Sequence, residues 1–197
     1  MIKFGAHEQN GSHLKKRDMK NTKTLAIALF ATAVSFSGFA QKTKTQVPAP
    51  KVDASKNVVE NLAATPELST IAKVFQVSGY NSILSENSNF TILAPTDNVI
   101  TNKDAFFDSK NIENTRNFGA YHIIYGKYTM ADFANLVTTK KERKATIKTA
   151  DGKPITITFE KGEMYITDEK GNKSKVTFSD VIVNNGVIHG LDRPLQF

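Results

Sequence analysis

The chain has no cysteine and no tryptophan among its 197 residues. Without thiols there is no disulfide framework, no thiolate nucleophile and no soft metal ligand. It also removes a lipid-modified cysteine as an anchor after a leader. Histidine is scarce, and only His122 and His189 lie beyond residue 40. A nucleophile–histidine–acid set would have to use one of them. Two histidines with no closely spaced acids do not make a three- or four-ligand zinc set. Asp97, Asp104 and Asp108 lack the spacing and the glycine of a calcium loop. No glycine-rich phosphate loop is present. These absences leave no cofactor or metal to expect.

Long apolar runs are missing too. The longest, Leu25 to Val34, falls short of the roughly 20 residues that span a bilayer. Lys20 and Lys23 precede it, and Ser37-Gly38-Phe39-Ala40 follows with small residues at −3 and −1. That order is a secretory leader, with cleavage expected after Ala40 and a true start at Met19. The leader style is bacterial, and export to periplasm, cell surface or medium follows. The two glycosylation sequons, at Asn89 and Asn172, would matter only in a eukaryotic secretory pathway.

The formal charge of +7 changes meaning once the leader is set aside. Residues 1–40 hold six Lys/Arg and two Asp/Glu, so residues 41–197 keep 20 basic and 17 acidic groups, a net of +3. That is too little to argue for nucleic acid or an anionic membrane. The one basic cluster left, Lys140-Lys141-Glu142-Arg143-Lys144, reads as a solvated loop rather than a phosphate or polysaccharide contact.

What is there reads as one domain. Residues 41–56, with Pro48 and Pro50, form a linker with little to bury. The domain is expected over 57–197. Val58, Val59 and Leu62 begin a helix. Thr65-Pro66 suits an N-cap and first helical position, and Leu68, Ile71, Ala72 and Phe75 make an amphipathic stripe ending near Gly79. Phe90 to Ala94 predicts a strand ended by Pro95. Thr96-Asp97 predicts a turn or helix cap rather than a catalytic pair. Residues 99–117 predict short helices and loops. Thr129 predicts the N-cap of a helix burying Phe133, Leu136 and Val137. Ile155, Ile157 and Phe159, then Met164 and Ile166, then Val176 and Phe178, alternate as half-buried strands. Asn184-Asn185-Gly186 is a tight turn into Val187–Leu191. Helices first and a run of antiparallel strands last predicts the α+β class.

Three stretches carry a family resemblance. Asn89-Phe90-Thr91-Ile92-Leu93-Ala94-Pro95-Thr96-Asp97 resembles the first signature segment of fasciclin-like domains. Asn185-Gly186-Val187-Ile188-His189-Gly190-Leu191-Asp192 resembles the second. Tyr121-His122-Ile123-Ile124-Tyr125-Gly126-Lys127-Tyr128-Thr129 resembles the tyrosine–histidine motif between them. The sequence departs from the family at Asn98-Val99-Ile100, where an acidic-Ala-Phe run is common, and at Tyr125, where proline is common. The resemblance implies a β-sandwich or wedge core with several helices against it, and the two signature segments side by side. It implies a structural role for Thr91, Pro95, Thr96, Asp97, Asn185, Gly186, His189 and Asp192. It also implies an adhesion or interaction module for proteins, matrix polymers or cell-surface glycans. Tyr121 and His122 are the interaction candidates, with core packing as the competing role. His189 reads as a core histidine bonded to backbone. The alternative function is a carrier of a small apolar ligand.

Overall fold

The computed structural model describes residues 48–86 and 88–197. The leader, the start at Met19, the cleavage after Ala40 and linker residues 41–47 lie outside the described residues.

Among the described residues, four α-helices lead into or flank the first strand: α1 (Val58–Ala63), α2 (Ser69–Val77), α3 (Tyr80–Leu84) and α4 (Ile112–Tyr121). A fifth, α5 (Met130–Thr138), follows a three-residue strand. Asn57 starts α1 with a capping box, its side chain taking the Glu60 N–H while Glu60 returns to the Asn57 N–H. Thr129 and Asp132 do the same for α5. Thr65 departs from its expected capping role. Its hydroxyl donates back to the Asn61 carbonyl at 2.8 Å, and a single 3-10 turn, Pro66–Leu68, follows. The stripe Leu68, Ile71 and Phe75 is buried as its spacing requires.

The strands are β1 (Phe90–Pro95), β2 (Ile123–Tyr125), β3 (Lys144–Lys148), β4 (Pro154–Glu160), β5 (Glu163–Thr167), β6 (Lys173–Val183) and β7 (Gly186–Leu191). Among the described residues they form one mixed sheet in the order β2-β1-β7-β6-β5-β4-β3. It curls into a nearly closed wedge. The Ala150 N–H, in the β3–β4 turn, donates to the Ile123 carbonyl of β2 at 2.8 Å, so opposite ends of the sheet meet. One core cluster lies between α1–α4 and the sheet, around Ile71, Phe75, Phe90, Ile92 and Ile188. The other lies around Phe133 of α5, with Ile155, Ile157, Ile166 and Leu191.

Two features were not in the sequence pattern. First, β1 and β7 are parallel, in register from Phe90↔Gly186 to Pro95↔Leu191, and every residue of both strands is buried. Burial on both faces erases the period-two alternation, so each reads as a continuous apolar run. Second, Lys144 is not loop but the first residue of β3, which pairs antiparallel with β4. Its lysines at both ends hide the inward residues Ala145 and Ile147.

Candidate functional site

The two signature segments meet as neighbouring strands, and most of their polar residues bond to backbone. Thr91 is fully buried, donating to the Gly126 carbonyl at 2.7 Å and accepting from the Tyr128 N–H at 2.9 Å. It fixes the chain that leaves β2. Asp97 accepts from the Thr70 N–H at 2.9 Å and from the Ser69 hydroxyl. Leu68, at the N-cap position of α2, offers no side-chain bond, so Asp97 caps that helix from the far end of β1. Thr96 donates to the Asn98 side chain, and Pro95 pairs with Leu191. Asp192 accepts from the Lys175 N–H at 2.8 Å, tying the end of β7 to β6.

Asn185 joins three elements. Its Oδ1 accepts from the Val58 N–H of α1 at 2.8 Å, and its Nδ2 donates to the carbonyls of Leu84 and Glu86 at 2.8 and 3.0 Å. Gly186 beside it is required by close approach. A Cβ there would stand 2.5 Å from the Phe90 carbonyl oxygen of β1 and 2.9 Å from Val58.

His189 is buried. Its Nε2 donates to the Tyr128 carbonyl at 2.8 Å, leaving Nδ1 to accept from the Asp180 N–H at 3.3 Å. Asp180 sits at positive φ within the irregular stretch of β6 that pairs with β7, and its carboxylate caps α5 through the Met130 N–H at 2.7 Å. Burial lowers the His189 pKa and favours the neutral ring.

Tyr121 and His122 close α4, and both are 0% exposed. In this structure neither presents a surface to a partner. The Tyr121 hydroxyl donates to the Pro154 carbonyl at 3.1 Å and accepts from the Glu169 N–H at 2.9 Å. Its ring meets Phe197 edge-on at 5.7 Å. Burial pushes its pKa up to about 12. His122 Nδ1 donates to the Phe118 carbonyl at 2.8 Å, so Nε2 is the acceptor for the Leu195 N–H at 3.1 Å. Burial pushes its pKa down to about 4 against weaker opposing effects of the Phe118 bond, Asp151 and Asp168. Tyr121→Phe is expected to lower stability by about 1–2 kcal/mol, because a buried carbonyl and an N–H lose their shared partner. Urea unfolding of the two proteins measures it.

Several residues gain importance only in three dimensions. Asp168 accepts from the Asn172 N–H at 2.8 Å and from the Gln196 N–H at 2.9 Å. Leu195 is 1% exposed against the core around Tyr121. Tyr125, four residues past Tyr121 and at the edge of the sheet, is 57% exposed with its ring centroid 6.0 Å from that of Phe90. Asp168 stands in the turn between β5 and β6, and its bond to Gln196 spans 28 residues. Among the described residues no group of three or more His, Asp or Glu is placed to hold a metal ion. None of their helices is long and apolar enough to cross a membrane.

A groove of about 710 Å³ opens where β1 ends. Pro48, Pro50, Pro66, Leu68, Asp97 and Phe178 are among the residues that line it.

The family model of the fasciclin domain matches residues 66–197. The uncharacterized protein sll1735 of Synechocystis sp. is 24% identical over 139 residues, covering 69% of this chain and 94% of that protein. Protein sll1483 of the same organism is 26% identical over 147 residues, covering 72% and 73%. Among solved structures, a FAS1 domain pair from the insect cell adhesion molecule fasciclin I superposes with a TM-score of 0.57 at 23% identity. The superposition covers 75% of this chain and 52% of the pair, so the chain spans about half of that structure.

Proposed function

The chain belongs to the fasciclin domain family, and from that premise we propose that it is an exported, non-catalytic interaction module for a protein, matrix polymer or cell-surface glycan. The family is generally adhesion-related and generally extracellular or exported. The observation that carries the non-catalytic reading is the state of the two histidines among the described residues, His122 and His189. All four ring nitrogens are engaged with backbone groups. A general base needs a free imidazole nitrogen facing a substrate, and neither ring offers one. The leader over residues 1–40, released after Ala40, and the spacer over 41–56 complete the proposal. N-terminal sequencing of the exported protein is expected to find Gln41, and any other terminus overturns that cleavage.

Buried Tyr121 and His122 serve the contact by holding β2 in place. The surface they support is Tyr125, the most exposed large apolar side chain among the described residues. Amphipathic tyrosine at a sheet edge is a common anchor in recognition surfaces. Adhesion of the purified protein to a panel of matrix proteins, glycans and cells tests this. Tyr125→Ala is expected to melt with the native protein yet bind its partner at least fivefold more weakly. Equal binding by folded Tyr125→Ala moves the interface elsewhere.

One observation favours a second reading, a carrier of a small apolar ligand. The groove beside Leu68 and Phe178 falls within the volume range of small-molecule sites. Failure of the whole adhesion panel, with lipid recovered by solvent extraction of the purified protein, would favour the carrier.

A further inference from the structure

The segment that follows β7 covers the Tyr121–His122 pair in an uncommon way. The bonded main-chain donors of residues 195–197 end on side chains rather than on carbonyls. The Leu195 N–H donates to His122 Nε2, and the Gln196 N–H donates to Asp168 Oδ2. Apolar contacts complete the closure. Leu195 is sunk in the core, and Phe197 lies against Tyr121 with the Lys153 ammonium 4.0 Å above its ring.

We propose that residues 195–197 are an acid-released latch over Tyr121 and His122. The tautomer makes it directional. Nδ1 carries the proton that it shares with the Phe118 carbonyl, so the single lone pair of the ring is the one facing Leu195. A proton taken from solvent adds there. The acceptor becomes a donor, and two N–H groups then oppose each other across 3.1 Å. The charged groups around the pair come from separate elements. Asp151 lies in the β3–β4 turn and Asp168 in the β5–β6 turn, and both favour a charged ring. Glu169 holds the Tyr121 hydroxyl through its N–H, and Lys153 covers Phe197. Burial opposes the charged ring and outweighs the carboxylates. Opening the latch is the local movement that admits water to the imidazolium.

Release would uncover Tyr121 and the site vacated by Leu195, an apolar surface with a hydroxyl at its centre. Use of that surface for adhesion rests on the function proposed above; the latch does not, and the experiment reads the latch alone. Hydrogen exchange of the full protein, followed by NMR from pH 7 to pH 4, gives a protection factor for each amide. Those of Leu195 and Gln196 are expected to fall about tenfold per pH unit below pH 6.5, while that of Ile188 in β7 holds. In His122→Gln the slope at Leu195 is expected to disappear. If that variant does not fold, Phe197→Ala keeps every titrating group. It is expected to lower Leu195 protection at all pH values with the slope retained. Parallel loss at Leu195 and Ile188 in the native protein, or an unchanged slope in folded His122→Gln, overturns the latch.

Discussion

Asn185→Ala is expected to lower the unfolding free energy by about 4 kcal/mol, and the melting temperature by about 10 °C for a domain of this size. The amide is 7% exposed and serves three separate backbone groups. The Val58 N–H belongs to the first turn of α1 and has no intrahelical partner. The Leu84 and Glu86 carbonyls close α3 and the loop behind it. Alanine leaves one donor and two acceptors without their protein partner, where each buried unpaired group costs roughly 1–3 kcal/mol. Asn185→Asp separates geometry from charge. It keeps the acceptor for Val58 but sets a carboxylate oxygen against the two carbonyls, so it is expected to be no better than alanine. Urea unfolding followed by circular dichroism decides this, with an unchanged m-value showing that only stability moved. A loss under about 1 kcal/mol would mean that water replaces the amide at this junction.

Acid is expected to remove on the order of 3 kcal/mol through His122 alone. Burial depresses its folded pKa from 6.5 to about 4. Above pH 6.5 the ring is neutral in both folded and unfolded chains, and the residue contributes no pH dependence. Between pH 6.5 and about pH 4 the unfolded chain binds the proton first, so stability falls as pH falls, by about 1.4 kcal/mol per unit. Below pH 4 the folded ring is charged as well and the His122 contribution levels off. His189 is shifted in the same direction by its own burial and adds to the loss below pH 6.5. Unfolding free energies from pH 7.5 to pH 4, for native protein and His122→Gln, check the sign and the window. The native curve is expected to fall faster than the variant's, and parallel curves would refute the assignment to His122. The latch is tied to this number. If it opens at neutral pH for less than about 3 kcal/mol, part of the acid effect appears as a released segment rather than as unfolding.

The sequence determined what near neighbours decide. A local capping box uses a polar side chain three residues from the N–H that it bonds, so Thr129 was legible as the start of α5. Alternation needs one wet face, so Ile155 and Ile157 announced β4. The three motif segments carried the family and thus the α+β wedge. The tertiary structure decided everything set by residues far apart in the chain. Asp97 caps a helix that begins 28 residues earlier, at Ser69, and Asn185 reaches a helix 127 residues earlier. The parallel pairing of β1 and β7 leaves no periodic trace, because both faces are dry. The choice between contact and core for the Tyr121–His122 pair was open in the sequence for the same reason. A tyrosine and a histidine at a helix end suit water and protein equally well. Which they meet depends on the chain that packs over them, and here that chain is Leu195, 73 residues beyond His122.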